Sequence, residues 1–269
     1  MYVFLYRMTT HAPTEKIYHF YNIAHIGDNL LNLKYFLYLT PILKEKNCKI
    51  IYYYSTQWHY NKEATLRSYI DPSVVTIKPL EERPRNSIEL WQGHAIDNVT
   101  YIDSERYFEL FYKKILNILN INDPTVLTNL WLDEPFLVDV YNSLEQKYKD
   151  IDILILNTVG RSGQYSDTRS VNNLARYLHR HFTVVTMDDV GEDVTSAGHL
   201  SLKEVGAIST RAKYIISTCS GPHIPCFNKL TKEYVKKWFI LPAFKYYTID
   251  CIDNANIDAI KQYFDSIRS

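Results

Sequence analysis

Several common signatures are missing from this sequence. Its four cysteines, Cys48, Cys219, Cys226 and Cys251, form no Cys-x-x-Cys pair, and three lie in or beside apolar runs. That argues against a structural zinc or a disulfide framework and fits a reducing compartment. Charge of either sign is not in excess: 30 Lys and Arg balance 30 Asp and Glu, whereas a nucleic-acid partner would call for a basic excess. No apolar run reaches membrane length, and the opening Met1–Arg7 is too short for a signal peptide or a span. The expectation is a soluble, cytoplasmic protein with no transmembrane segment. Glycine is scarce, with 8 residues, and neither a Walker A loop nor a Gly-x-Gly-x-x-Gly fingerprint occurs. There is no Gly-x-Ser-x-Gly elbow, and the histidines lack metal-ligand spacing. What is abundant is tyrosine, 23 residues, alongside much Ile, Asn and Lys. All four have AT-rich codons, so genome bias explains the count without a functional reading. With 46% apolar residues the chain can build a core.

Apolar runs alternate with helical patterns, which predicts parallel α/β units. In the first half strands are expected at 16–23, 49–54, 74–77 and 88–91. A helix from Asp28 carries Leu30, Leu33 and Leu37 on one face, with Pro41 kinking or restarting it. A second helix, capped by Asp103 or Ser104, buries Phe108, Phe111, Ile115 and Leu119, and a third covers 136–148. The pattern then restarts, so two domains are expected, 1–148 and 149–269. In the second, strands at 151–157, 182–187 and 214–217 alternate with helices bearing Val171, Leu174 and Leu178, then Leu202, Val205 and Ile208. This is the order of a Rossmann-like half, in which ligands bind beyond the carboxyl ends of the strands. Gly191–His199 reads as a polar insertion. A strand at 238–241 and a terminal helix with Ile257, Ile260, Phe264 and Ile267 in one stripe complete the chain.

Two short motifs follow strands. His25-Ile-Gly-Asp28 places a carboxylate at the start of the first helix. Asp28 is either an N-cap or a general base able to take a proton from a hydroxyl. In Ser217-Thr-Cys-Ser-Gly-Pro-His223 an apolar strand ends in small residues and Gly-Pro and is expected to open a helix, whose free N–H groups favour an anion. There Ser220, Gly221 and His223 either make a turn or hold phosphate. Gly160-Arg-Ser-Gly-Gln164 is a third polar loop, in which Arg161, Ser162 and Gly163 either turn the chain or cradle a diphosphate. Asp188 follows a strand, where an acid binds ribose hydroxyls or simply faces solvent. No residues present themselves as a metal site.

Together these residues resemble the GT-B glycosyltransferases, and within them the heptosyltransferase-like branch. That branch has a Gly-Asp loop after its first strand, matched by Gly27-Asp28. It also has a helix, a strand and a Ser-Gly-Pro-x-His segment, matched by 202–208, 214–216 and Ser220-Gly-Pro-His223, although here nothing stands between Pro222 and His223. The resemblance implies two Rossmann-like domains facing across a cleft, with the acceptor on the N-terminal one and a nucleotide-sugar donor on the C-terminal one. It implies inverting, metal-independent transfer to a glycan or small-molecule hydroxyl, with the nucleotide-sugar as co-substrate and no other cofactor. Asp28 then becomes the base with His25 beside it, and Arg161, Ser162, Gly163, Asp188, Ser220, Gly221 and His223 bind the donor. A polysaccharide pyruvyltransferase, or a nucleotide-sugar or glycan-binding module without catalysis, shares these features.

Overall fold

The computed structural model describes residues 14–56, 62–100, 104–158, 167–191, 193–218, 221–241 and 252–268. The chain begins with β1 (Lys16–Asn22), α1 (Ile26–Tyr38), α2 (Thr40–Glu45) and β2 (Cys48–Tyr54). Next come α3 (Lys62–Arg67), β3 (Val75–Pro79), β4 (Ile88–Glu89), α4 (Ser104–Ile118) and α5 (Phe136–Ser143). The four strands pair in parallel in the order β3-β2-β1-β4. Pro41 sits in the first turn of α2, so it restarts the helix, as its missing N–H allows.

The second half runs β5 (Ile153–Leu156), α6 (Thr168–His179), β6 (Val184–Thr186), β7 (Thr195–Ser196), α7 (Leu202–Ser209) and β8 (Tyr214–Thr218). A 3-10 helix over Gly221–Cys226, then α8 (Lys229–Tyr234), β9 (Lys237–Leu241), β10 (Ile252–Asn254) and α9 (Ile257–Arg268) complete it. Its sheet is also parallel, in the order β10-β9-β8-β5-β6-β7. β5 is buried on both faces, as parallel strands between helices are. Ile153 and Ile155 pack with Val171 and Leu174 of α6 and Ile260 and Phe264 of α9, while Leu154 and Leu156 point into the opposite cluster. That cluster continues through Trp131, Phe227 and Trp238 to Phe20, Ile50 and Tyr112, so one apolar core runs through both halves of the chain.

Five details differ from the sequence expectation. The helix expected over 136–148 ends at Ser143, whose Oγ bonds back to the Val140 carbonyl; Leu144 is extended, and only a 3-10 turn, Gln146–Tyr148, follows. Gly191–His199 is not a plain insertion: it contributes the edge strand β7 and buries Val194 and Ala197. β10 went unread, and Ile267 of the α9 stripe is 41% exposed. The segment after β8 is a 3-10 helix where an α-helix start was expected. Pro225 lacks the N–H that an α-helical bond needs at that point, so the tighter turn takes over. Among the described residues no helix is long and apolar enough to cross a membrane.

α1 joins the halves. Eight successive residues, Asn29–Phe36, are buried, because the helix is enclosed on several sides. Tyr35 stacks on Tyr112 of α4 with ring centroids 3.9 Å apart. Lys34, 2% exposed, donates to the carbonyls of Phe227 (3.0 Å), Ile224 (3.3 Å) and Pro225 (3.5 Å). Its Nζ also lies 2.8 Å from Oε2 of Glu134, itself 3% exposed. At that separation the two groups meet as a buried ion pair. Burial raises the Glu134 pKa above the ordinary value, and Lys34 offsets only part of that. Residue 132 fastens the same region, with the Lys229 N–H donating to the Leu132 carbonyl at 3.0 Å.

Removing Lys34 strands a buried carboxylate and three carbonyls, so K34M is expected to lower the unfolding free energy by about 3–5 kcal/mol. E134L leaves the ammonium its carbonyls and should cost less. A double-mutant cycle by urea unfolding checks this, and a coupling below about 0.5 kcal/mol would show that the pair acts as two independent groups.

Candidate active site

In each sheet the chain builds outward from the first strand in one direction and then returns to its other side. The reversal falls between β1 and β4 in the first sheet and between β5 and β8 in the second. At such points the loops beyond the carboxyl ends part and leave room for a ligand. His25 and Asp28 follow β1, and Gly221 and His223 follow β8.

Between β1 and β4 a buried polar network fixes the turn. Asn22, 0% exposed, donates to the Leu90 carbonyl at 2.8 Å and to Gln92 Oε1 at 3.1 Å, and its own oxygen accepts from the Ala24 N–H at 2.8 Å. Asn29 donates to the carbonyls of Ala24 (3.0 Å) and His25 (2.8 Å). Gln92 donates to Asn32 Oδ1 at 2.7 Å and to the Asp28 carbonyl at 3.2 Å. Asn32 in turn donates to the Tyr52 hydroxyl at 2.9 Å. The N-cap of α1 is His25, with extended φ −68° and ψ 173°, and Asp28 stands within the first turn. The alternative of Asp28 as N-cap is thereby settled: the chain enters the helix three residues before it. A carboxylate in a first turn is stabilised by the helix dipole. Asp28 is half-buried, and its charge reaches two phenols. Burial pushes Tyr52 far above the ordinary range; its bond to Asn32 offsets part of this and Asp28 adds to it. In Tyr107 burial is again the larger cause and Asp28 the next. Both phenols therefore stay protonated beside the carboxylate.

The carboxyl edge of the second sheet is also cross-linked. Thr218 Oγ1 donates to the carbonyls of Leu156 (3.1 Å) and Thr158 (2.7 Å), tying β8 to β5 at their reversal point. Asn157, 0% exposed, accepts from the Asp188 N–H at 2.8 Å and donates to the Asp188 carbonyl at 3.2 Å. Thr158 Oγ1 donates to Asp188 Oδ1 at 3.0 Å, and Asp188 is exposed. His223 is 3% exposed, with Nδ1 3.3 Å from the Thr218 carbonyl. A carbonyl only accepts, so Nδ1 carries the hydrogen. Burial pushes the imidazole down to about 4, and the bond to Thr218 recovers only part of the shift. His223 is neutral at neutral pH and offers a phosphate no positive charge.

The two edges touch. A Cβ on Gly27 would lie 3.4 Å from Cγ1 of Ile224 and 3.5 Å from Cα of Gly221. A Cβ on Gly221 would lie 3.1 Å from Cγ2 of Ile26, tighter than ordinary contact. Glycine at 221 thus lets the β8 loop approach the start of α1. Gly27 and Gly221, 194 positions apart in sequence, are neighbours only through this packing. Arg161, Ser162, Gly163 and Ser220 lie outside the described residues. Among the described residues no three His, Cys, Asp or Glu side chains group as a metal site.

No family model and no curated protein matches the sequence. Solved structures do match the fold. The E. coli heptosyltransferase WaaC with ADP superposes with a TM-score of 0.55 at 12% identity, over 93% of this chain and 97% of that one. E. coli ADP-heptose lps heptosyltransferase II gives 0.52 at 12% identity, over 94% and 98%. The chain shares the fold of these heptosyltransferases. The likeness spans nearly the full length of both chains, so both sheets take part in it. At this identity it speaks for the fold alone.

Sequence reasoning brought His25, Asp28, Gly221, His223 and Asp188 forward, and the structure sets the first four around one contact while Asp188 stands at the edge of the same second sheet. It missed Lys34, Glu134, Gln92 and the asparagine network. One signal was available: Asn29, Asn32 and Lys34 interrupt an apolar helix at positions where polar side chains need buried partners.

The neutral, buried His223 has a consequence for stability. Its folded value of about 4 lies below the ordinary 6.5, so the unfolded chain binds the proton more readily. Stability is therefore expected to fall as pH drops from 6.5 towards 4, by about 3 kcal/mol from this group. Urea melts of wild type and H223Q across that window test it, and equal pH slopes would refute the assignment.

Proposed function

We propose that this chain is a GT-B glycosyltransferase that moves a sugar from a nucleotide-sugar to an acceptor hydroxyl, with inversion and without a metal ion. The observation that carries the reading is the contact of Gly27 with Gly221, which joins the two sheet reversal points and sets Asp28 beside the β8 loop. The heptosyltransferase fold supports it. Residues 1–148 form the acceptor side and 149–269 the donor side. Asp28 takes the acceptor proton as the hydroxyl oxygen bonds to the anomeric carbon from the face opposite the departing diphosphate. The bond from that carbon to the phosphate oxygen breaks, and its electron pair leaves with the nucleoside diphosphate. His25, the N-cap, carries its ring at the same turn. Arg161, Ser162, Gly163, Ser220 and the Gly221 N–H receive the diphosphate charge, preorganised donors being effective where charge develops. Asp188 receives the ribose hydroxyls. His223 serves by fixing the loop through Thr218. ADP-sugars are the first donors to try, because one fold relative was solved with ADP and another is named for ADP-heptose. The compartment proposed is the cytoplasm.

D28N should reduce transfer by about 10²–10⁴-fold while ADP still raises the melting temperature. Wild-type transfer by D28N would remove Asp28 as the base. A thermal-shift screen with ADP-, UDP-, GDP-, CMP- and dTDP-sugars, with and without EDTA, tests the donor side. A shift abolished by EDTA would overturn metal independence. No shift with any nucleotide-sugar, but one with phosphoenolpyruvate, would favour a pyruvyltransferase; donor binding without turnover would make the chain a binding module.

A further inference from the structure

The loop after β4 has no role in the reading above, yet it stands beside the Asp28 turn. β4 pairs with β1 through Phe20–Ile88 and Tyr21–Glu89, and the Leu90 N–H donates to the Tyr21 carbonyl at 2.8 Å. The chain then leaves the sheet as Trp91-Gln-Gly-His94, at the β1/β4 reversal point itself. Gln92, 4% exposed, is anchored to Asn22, Asn32 and the Asp28 carbonyl, so Trp91 grows from a fixed base. Two further contacts hold the loop. The Tyr107 hydroxyl donates to the His94 carbonyl at 3.0 Å, and Ile96 and Val99 exchange N–H to carbonyl bonds of 2.9 and 2.8 Å. Asp97 (φ 49°) and Asn98 (φ 63°) form the two-residue turn between them, in the left-handed conformation these residue types tolerate.

On this frame the indole of Trp91 folds over Gly93. A Cβ there would collide with it, 2.7 Å from Cη2, so only glycine leaves the ring where it is. The His94 ring meets the indole edge-on, with centroids 4.9 Å apart. Trp91 is only half-buried, whereas a tryptophan is on average highly buried. A preorganised, half-exposed indole offers an apolar face and one N–H donor. A sugar ring has the matching surface: axial C–H bonds on one face and hydroxyls around the rim.

We propose that Trp91, seated on Gly93 and flanked by His94, is the floor of a subsite for an uncharged saccharide ring next to the Asp28 turn. The absence of charge follows from the neighbours. Glu89, with Oε2 3.8 Å from Nε2 of His94, and Asp28 beyond Gln92 are carboxylates, and Asp97 lies in the same loop. Arg83, in the segment leading to β4, is stacked on the Tyr21 ring at 4.2 Å. An acceptor carrying phosphate or carboxylate would meet repulsion here. The identification of that saccharide as the acceptor rests on the glycosyltransferase reading; the binding does not.

The test is an array of neutral glucose-, galactose-, mannose- and N-acetylglucosamine-terminated glycans with phosphorylated and sialylated counterparts, probed with the full chain. Wild type should bind neutral glycans, and W91F should retain most of that binding. W91A should lose at least about tenfold, and so should G93A, which keeps every ring but displaces the indole. Melting curves check that each variant folds, and G93A, on an exposed position, decides the matter if W91A does not. Wild type binding no neutral glycan, preferring acidic ones, or binding unchanged in W91A and G93A would overturn the subsite. Glycan binding that depends on Trp91, with no nucleotide-sugar shifting the melting temperature, would sink the glycosyltransferase reading and leave the subsite standing. Transfer that depends on Asp28 but not on Trp91 would do the reverse.

Discussion

The arrangement of this molecule depends on one buried cation. Lys34 lies in the middle of α1, shut off from water, and it holds the end of the 221–226 turn by three carbonyls while facing the buried Glu134. An ammonium in such a place is tolerable only if its donors are used and a negative charge is near. Once those requirements are met, three separate stretches of chain have a single relative position. They are the helix that bears Asp28, the segment before α5 that bears Glu134, and the turn that follows β8. The contact of Gly27 with Gly221 lies along the same helix and turn.

Around that fastening the two sheets use the same device. Each reverses its direction of growth once, and at each reversal buried amide or hydroxyl groups stitch neighbouring strand ends together. Asn22, Asn29, Asn32 and Gln92 do this in the first sheet and Thr218 in the second, where Asn157 also ties the end of β5 to that of β6. Such groups are costly to bury unless every partner is supplied, and when supplied they hold loops at defined angles. Rigid loops at both edges suit a site that must orient two ligands, because misplacement of reacting groups is among the largest losses a catalyst can suffer.

The local elements were legible because their signals are local. The capping box of α7, with Ser201 and Glu204 each bonding the other's backbone, is written in residues three apart, and the run Ile153–Leu156 is continuous as a doubly buried strand should be. The stripe of α4 emerged with Phe108, Phe111, Ile115 and Leu119 all buried. The 3-10 turn at 221–226 was misread because an α-helix start and a Pro-rich turn share the same opening residues. β10 and β7 were missed because strands of three and two residues carry too few side chains for a period to register.

The sequence by itself determined the parallel α/β class, most element positions and the two motifs that carry Asp28 and Gly221-Pro-His223, since periodicity, caps and turn residues act over a few neighbours. It also marked the trouble spots, polar residues inside an apolar helix, without naming their partners. Only the tertiary structure decided that Lys34 meets Glu134 a hundred residues later, that Gly27 meets Gly221, and that Gln92, next to Trp91 in the chain, bonds the Asp28 carbonyl. Those are choices of packing: burial of a charge or an amide demands a partner, and which distant segment supplies it depends on how the sheets and helices close on one another.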